Sequence, residues 1–226
     1  MIPISDENPS LRPAFVTWTI VALCVAAYGW EWRSGIDGAM AQYGFVPASV
    51  THLKADWTLL TAMFLHGGLL HLGFNLLFLW IFGNNVEDAM GHARFALFFL
   101  LCGIAGALAV AAMDPHSLRP LVGSSGAVSG VLAAYVLLFP RTKVKVAVPL
   151  GIVFYPLPVS AIFVAVLWFG LALMNVWIVG PSQPGTAWWA HVGGFILGLV
   201  LTPFFKSRDV PLFGRRINET GDRQSF

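Results

Sequence analysis

Residues 146–205 read VAVPLGIVFYPLPVSAIFVAVLWFGLALMNVWIVGPSQPGTAWWAHVGGFILGLVLTPFF, 60 consecutive residues without an Asp, Glu, Lys or Arg. A bilayer-spanning helix needs roughly 20 mainly apolar residues, so the stretch is too long for one span. Proline and glycine divide it. Pro156 and Pro158 precede one helical segment, near Val159–Val179, and Gly180-Pro181-Ser182-Gln183-Pro184-Gly185 reads as a turn. A last helix then runs from about Ala187 to Phe205.

Upstream, the uncharged runs are 13–30, 57–86, 95–113 and 120–140, of 18, 30, 19 and 21 residues. Each reads as one span, which makes six in all and puts both termini on the same side. Composition agrees: 57% of residues are hydrophobic and 11% charged, against about 45–50% and about 25% in soluble domains. That balance excludes a soluble globular protein, a disordered chain and a nucleic-acid binder. A net charge of +2 is too small for electrostatic capture of a partner. Cys24 and Cys102 lie inside apolar runs, which speaks against a disulfide framework. The fold class expected is an all-α polytopic membrane protein.

Orientation follows from Lys and Arg, which favour the cytoplasmic side. With the N-terminus inside, the inner segments hold ten of them and the outer loops only Arg33, Lys54 and Arg119. Both termini are therefore expected to be cytoplasmic. The chain divides into a cytoplasmic segment 1–12, a six-helix membrane domain 13–205 and a loosely ordered cytoplasmic tail 206–226. The first span reads as a span rather than a signal peptide: its run exceeds the ~7–15 apolar residues of a signal core, and Asp6 and Glu7 precede it. Trp30, Trp32, Trp57, Trp188 and Trp189 then fall near the outer interface.

Polar groups in hydrocarbon are costly unless partnered, so each is a functional candidate. Span two carries His66, His71 and Asn75; span four begins Gly123-Ser124-Ser125-Gly126 and continues to Ser129; span five has Asn175 and span six His191. His66, His71, Ser125 and His191 all fall in the outer parts of their helices, which points to one shared site. If span four runs from Ser125 to Pro140 it is roughly 24 Å long, shorter than the hydrocarbon core of about 30 Å. Its head is then recessed, with unpaired N–H groups suited to a water-filled cavity that stabilises negative charge.

A serine needs a base to become a nucleophile, and His191 is the candidate. The outer halves of the spans contain no Asp or Glu by this count, so a Ser125–His191 dyad is expected rather than a triad. His71 and Asn75 are four apart and share a helix face. With the backbone N–H of Ser125 they are candidates for an oxyanion hole. Ala190, Gly194 and Gly198 form a row of small residues on span six, and Gly126 and Gly130 a similar pair on span four. Such rows allow close helix approach and would bring His191 towards Ser125. Ser129, one turn deeper, ranks second as nucleophile. Asn175 is expected to bond a neighbouring helix, His66 to brace the long first loop, and Glu87 and Asp88 to form a polar helix end.

These residues together resemble the rhomboid family of intramembrane serine proteases. Gly123-Ser124-Ser125-Gly126 is similar to that family's G-x-S-G motif. His191-Val192-Gly193-Gly194 resembles its last-helix histidine, and His66-x4-His71-x3-Asn75 its second-helix pattern. Phe82-Gly83-Asn84-Asn85-Val86-Glu87 resembles the end of that helix. The resemblance covers roughly residues 12–205 and implies a six-helix rhomboid-like bundle in a lipid bilayer. It implies a serine endopeptidase that cleaves single-pass or other transmembrane protein substrates near the outer leaflet, without metal, organic cofactor or nucleic acid. Substrates would enter sideways past span five and the loop Pro181–Ala187. The lack of targeting segments suggests a bacterial plasma (inner) membrane.

Two departures stand out. Many members have Trp-Arg in the first loop, whereas Trp57 is followed by Thr58. Some carry an aromatic residue four after the nucleophile to stack on the base, whereas that position is Ser129, so something else must orient His191. Two other readings stay open. One is a rhomboid-like protein that binds transmembrane helices without cutting them. The other is a metal-dependent membrane enzyme or transporter using His66, His71 and His191, although residues five apart on a helix diverge by about 140°.

Overall fold

The computed structural model describes residues 2–52, 57–150, 153–179 and 188–214. Most of them are helical. α1 (Phe15–Ser34) is followed by the short α2 (Ile36–Tyr43), a 3-10 turn at Pro47–His52 and the single turn α3 (Thr58–Thr61). Then come α4 (Leu69–Met90), α5 (His92–Met113), α6 (Ser125–Leu138), α7 (Ala161–Val179) and α8 (Trp188–Phe205). Among the described residues, α1, α4, α5 and α8 are long and apolar enough to cross a membrane, and α6 and α7 are shorter apolar helices. The expected turn at 180–185 and the loop Pro181–Ala187 lie outside the described residues.

The expectation of an all-α protein needs correcting. β1 (Ile2–Asp6), β2 (Lys143–Leu150) and β3 (Val153–Ser160) form a three-stranded antiparallel sheet in the order β1-β2-β3. Pro156 and Pro158, read as a helix leader, lie in β3, which is an edge strand and so tolerates residues without an N–H. In β2, Val144 and Val146 are buried while Lys143 and Lys145 are exposed. That alternation is the period of a strand with one face covered. β1, part of the expected N-terminal segment, is pinned to the bundle by Asp6, whose Oδ2 accepts from Tyr135 OH (2.5 Å) and Asn85 Nδ2 (3.0 Å). Residues 206–214 of the expected loose tail are also tied down. Ser207 N–H donates to Ala89 O, Phe213 N–H donates to Leu137 O, and Val210 is buried.

α6 sits at the centre. It is 14 residues long, 11 of them buried, as expected of a helix that is apolar all round. Its length of roughly 21 Å keeps it short of a full crossing. α8 lies against it through glycines. A Cβ on Gly198 would stand 2.6 Å from the Cα and carbonyl oxygen of Gly130, and one on Gly194 would overlap the carbonyl of Gly126. α5 joins the same contact, since a Cβ on Gly106 would stand 2.7 Å from Ala190 O. The small-residue rows therefore set the α6–α8 distance.

The other helix boundaries move in informative ways. α1 runs four residues beyond the uncharged stretch and includes Glu31, which is fully buried. The outer end of α1 thus carries an acid, contrary to the expectation that the outer halves of the spans hold none. The 57–86 run is not one helix, because it breaks between α3 and α4. His66 lies in that break and not on span two. Glu87, read as a polar helix end, is buried and accepts from Val16 N–H (2.9 Å), Thr17 N–H (2.8 Å) and Thr17 Oγ1 (2.7 Å). It satisfies first-turn donors of α1 that have no partner within their own helix. Asn175 bonds Leu171 O of its own helix at 2.8 Å rather than a neighbouring helix.

Candidate active site

The head of α6 is held by its approach segment. Phe45 and Leu121 exchange both backbone hydrogen bonds (3.0 and 2.7 Å), and Gly123 N–H donates to Ala62 O (2.8 Å). Gly123 has φ +117°, a conformation that disfavours side chains, and a Cβ there would stand 2.6 Å from Cε1 and 2.7 Å from Nε2 of His71. Glycine is needed on both counts. The chain then enters α6 with Ser125 as its first helical residue and Ser124 as the cap position.

A cavity of about 370 Å³ opens at this end of the bundle. Ser125 and Val128 of α6 line it, as do His71, Phe74, Asn75 and Phe78 of α4, Trp168 of α7, and Trp188 and His191 of α8. Three helices, α4, α6 and α8, thus bring together Ser125, His191, His71 and Asn75. Ser125 and His191 are each half-buried. Nδ1 of His191 is buried and has no hydrogen-bond partner, and the residue lines the cavity. Asn75 is 6% exposed and its Nδ2 donates to no protein group. An unspent amide donor on a cavity wall suits a developing negative charge.

The question of what orients His191 has an answer in the tryptophans. Trp168 lies 4.9 Å from the imidazole, ring centroid to centroid, tilted by 40°. Trp188 meets it edge-on at 5.2 Å and 85°. The imidazole is thus held between two indoles from different helices, with no aromatic needed at Ser129. The sequence marks Trp188 only as an interface aromatic and gives no sign of Trp168, because an apolar ring in an apolar run carries no local signal. Ser129 itself is fully buried and its hydroxyl donates to Ser125 O (2.5 Å), so its hydrogen is spent within α6. Ser124 is buried too and does not line the cavity.

His66 stands beside this wall. Its Nδ1 donates to Phe64 O (3.1 Å), its ring meets that of His71 edge-on at 5.2 Å, and its N–H donates to Glu31 at 3.1 and 3.2 Å. The 140° divergence argued for two histidines five apart does not apply, since His66 is off the helix. Among the described residues no three His, Cys, Asp or Glu are grouped to hold a metal ion. The first loop is braced without a Trp-Arg pair: Trp57 packs on Tyr43 at 5.7 Å, Tyr43 on Trp30 at 5.4 Å, and Thr61 Oγ1 donates to Tyr43 O at 2.8 Å.

The chain is similar in sequence to known proteins. The family model described as the rhomboid domain matches residues 54–208. The chain is 34% identical over 163 residues to "Rhomboid protease GluP" of Bacillus subtilis (strain 168), covering 71% of this chain and 28% of that protein. It is 24% identical over 216 residues to "Rhomboid protease AarA" of Providencia stuartii, covering 88% of this chain and 75% of that one. It is also 39% identical over 82 residues to "Inactive rhomboid protein 1" of Drosophila melanogaster, covering 36% of this chain and 6% of the fly protein. The chain thus spans under a third of the length of the Bacillus and fly relatives.

Proposed function

The chain belongs to the rhomboid family and is an integral multi-pass membrane protein, and from that premise we propose that it is an intramembrane serine endopeptidase with Ser125 as nucleophile and His191 as base. The observation that carries the reading is the single cavity lined by Ser125, His191, His71 and Asn75 from three separate helices. The substrate is a single-pass or other transmembrane protein, entering from the bilayer beside α7. Six apolar helices form the membrane domain, α6 among them as a short recessed helix, with both termini cytoplasmic, and the cut falls near the outer leaflet. The two relatives named as proteases are bacterial, which favours a bacterial plasma membrane.

In this mechanism the imidazole of His191, held between Trp168 and Trp188, takes the Ser125 Oγ proton as the oxygen attacks the scissile carbonyl. The oxyanion accepts from Asn75 Nδ2, from His71 and from the free N–H at the head of α6. Those donors are already fixed, so little reorganisation accompanies the reaction. His191 then passes the proton to the leaving amine, and a water that enters the cavity hydrolyses the acyl-enzyme by the same steps. No step is routed through a metal or organic cofactor. Gly123, Gly126, Gly194 and Gly198 support the site by letting the loop, α6 and α8 approach closely. His66 acts structurally.

The test is cleavage of a model transmembrane substrate in proteoliposomes by wild type, Ser125→Ala and His191→Ala, with mass spectrometry locating the cut. Loss of cleavage in both variants supports the dyad. Binding of the substrate by all three proteins with no product from any would instead favour a non-cutting, helix-binding protein, the kind of role the name of the Drosophila relative allows.

A further inference from the structure

Among the described residues, Glu31 is the one buried acid on the cavity's side of the bundle that the mechanism above does not use. It comes from α1, has no exposed surface, and both its oxygens face the His66 N–H, at 3.2 and 3.1 Å. His66 is equally constrained. A carbonyl only accepts, so the contact of Nδ1 with Phe64 O fixes the proton on Nδ1. The ring then stands edge-on to His71 at 5.2 Å. His71 in turn lines the cavity and fits against Gly123, where no side chain could share its space.

These contacts form one continuous path from α1 to the reacting end of α6. The break between α3 and α4 needs an external anchor, because its residues belong to no helix that would align them. The anchor is a carboxyl group rather than an apolar side chain, because a buried N–H left without an acceptor is costly. We propose that Glu31 is a positioning residue for the oxyanion side of the site: it fixes the main chain at His66, and the His66 ring fixes His71. The role rests on the protease reading for its kinetic consequence but not for its geometry. It predicts a graded requirement. The side chain at position 31 must offer an acceptor, and its charge is secondary.

The test uses the full chain in lipid nanodiscs with Glu31→Leu, which keeps bulk and loses the acceptor, and Glu31→Gln, which keeps a carbonyl acceptor. Misplacing an aligned group by about an ångström costs up to roughly a hundredfold in rate. Glu31→Leu should therefore lower kcat on a model transmembrane substrate by roughly tenfold to a hundredfold with KM within about twofold, and Glu31→Gln should recover at least a third of wild-type kcat. Labelled histidine NMR reads the geometry without catalysis. The His71 ring resonances should shift in the Leu variant and stay near their wild-type positions in the Gln variant. If Glu31→Leu fails to fold, His66→Phe, which keeps a ring but cannot bond Phe64 O, should move the same His71 signals. Unmoved His71 resonances in a folded Glu31→Leu or His66→Phe variant, or equal loss in Gln and Leu, overturn the proposal. Should Ser125→Ala cleave like wild type, the protease reading fails instead, and the NMR result still decides the geometry.

Discussion

Adding a single methyl group to α8 tests whether glycine contact sets the distance between Ser125 and His191. At Gly198 a Cβ would stand 2.6 Å from Gly130, whereas ordinary contact begins at 3.4 Å. The helices must therefore part there by about 0.8 Å, and neither side can yield by rotating a side chain because both are backbone. At Gly194 the overlap with the Gly126 carbonyl is deeper, and Gly194 lies one turn from His191 while Gly126 follows Ser125 directly. Gly194→Ala should thus cost more than Gly198→Ala in both stability and rate. Overpacking of this kind costs roughly 1–3 kcal/mol, and a separation near an ångström at the reacting groups costs roughly a hundredfold in kcat. Thermal unfolding in detergent and initial rates of model-substrate cleavage in liposomes measure the two effects. A Gly194→Ala protein with wild-type melting temperature and wild-type rate would refute the reasoning, as would a Gly198→Ala protein impaired more than Gly194→Ala.

Asn75→Ala should lower kcat by roughly 10²–10³ if its Nδ2 stabilises the oxyanion. It should barely change the melting temperature, because that donor bonds no protein group; a variant with altered melting and normal kcat would contradict this. Trp168→Ala removes one of the two indoles holding His191 and should reduce kcat by roughly tenfold, with a smaller change in KM, measured by full Michaelis curves. Burial raises Asp6 to about 6, against the lowering effect of its bond from Tyr135. Its folded form therefore binds more protons than the unfolded chain between about pH 4 and pH 6. Stability should fall as pH rises through that window and level off above it, by up to about 3 kcal/mol. Melting scans across pH should show this slope in wild type and lose it in Asp6→Asn.

Much of the arrangement was legible because two kinds of signal are local. Long runs without charge mark apolar helices irrespective of their neighbours, and polar residues inside such runs stand out against them. On that basis Ser125, His191, His71 and Asn75 could be singled out one by one, and the glycine rows of α6 and α8 could be read as contact surfaces. The strand pattern Lys143-Val144-Lys145-Val146 is equally local, but its lysines also mark the cytoplasmic side, and that reading hides the strand.

What tertiary structure alone decided are features that exist only between elements. That β1 (Ile2–Asp6) pairs with a strand as remote in the chain as Val144–Ala147 depends on a partner that no local pattern specifies. The break that frees His66 from α4, the carboxyl of Glu31 reaching it from α1, and the two indoles bracketing His191 are likewise contacts between segments remote in the chain. Hydrophobicity along a sequence reports what prefers to leave water, a property of each residue by itself. Which residues then meet is set by packing in three dimensions, where the distance between two helices can rest on the absence of one methyl group.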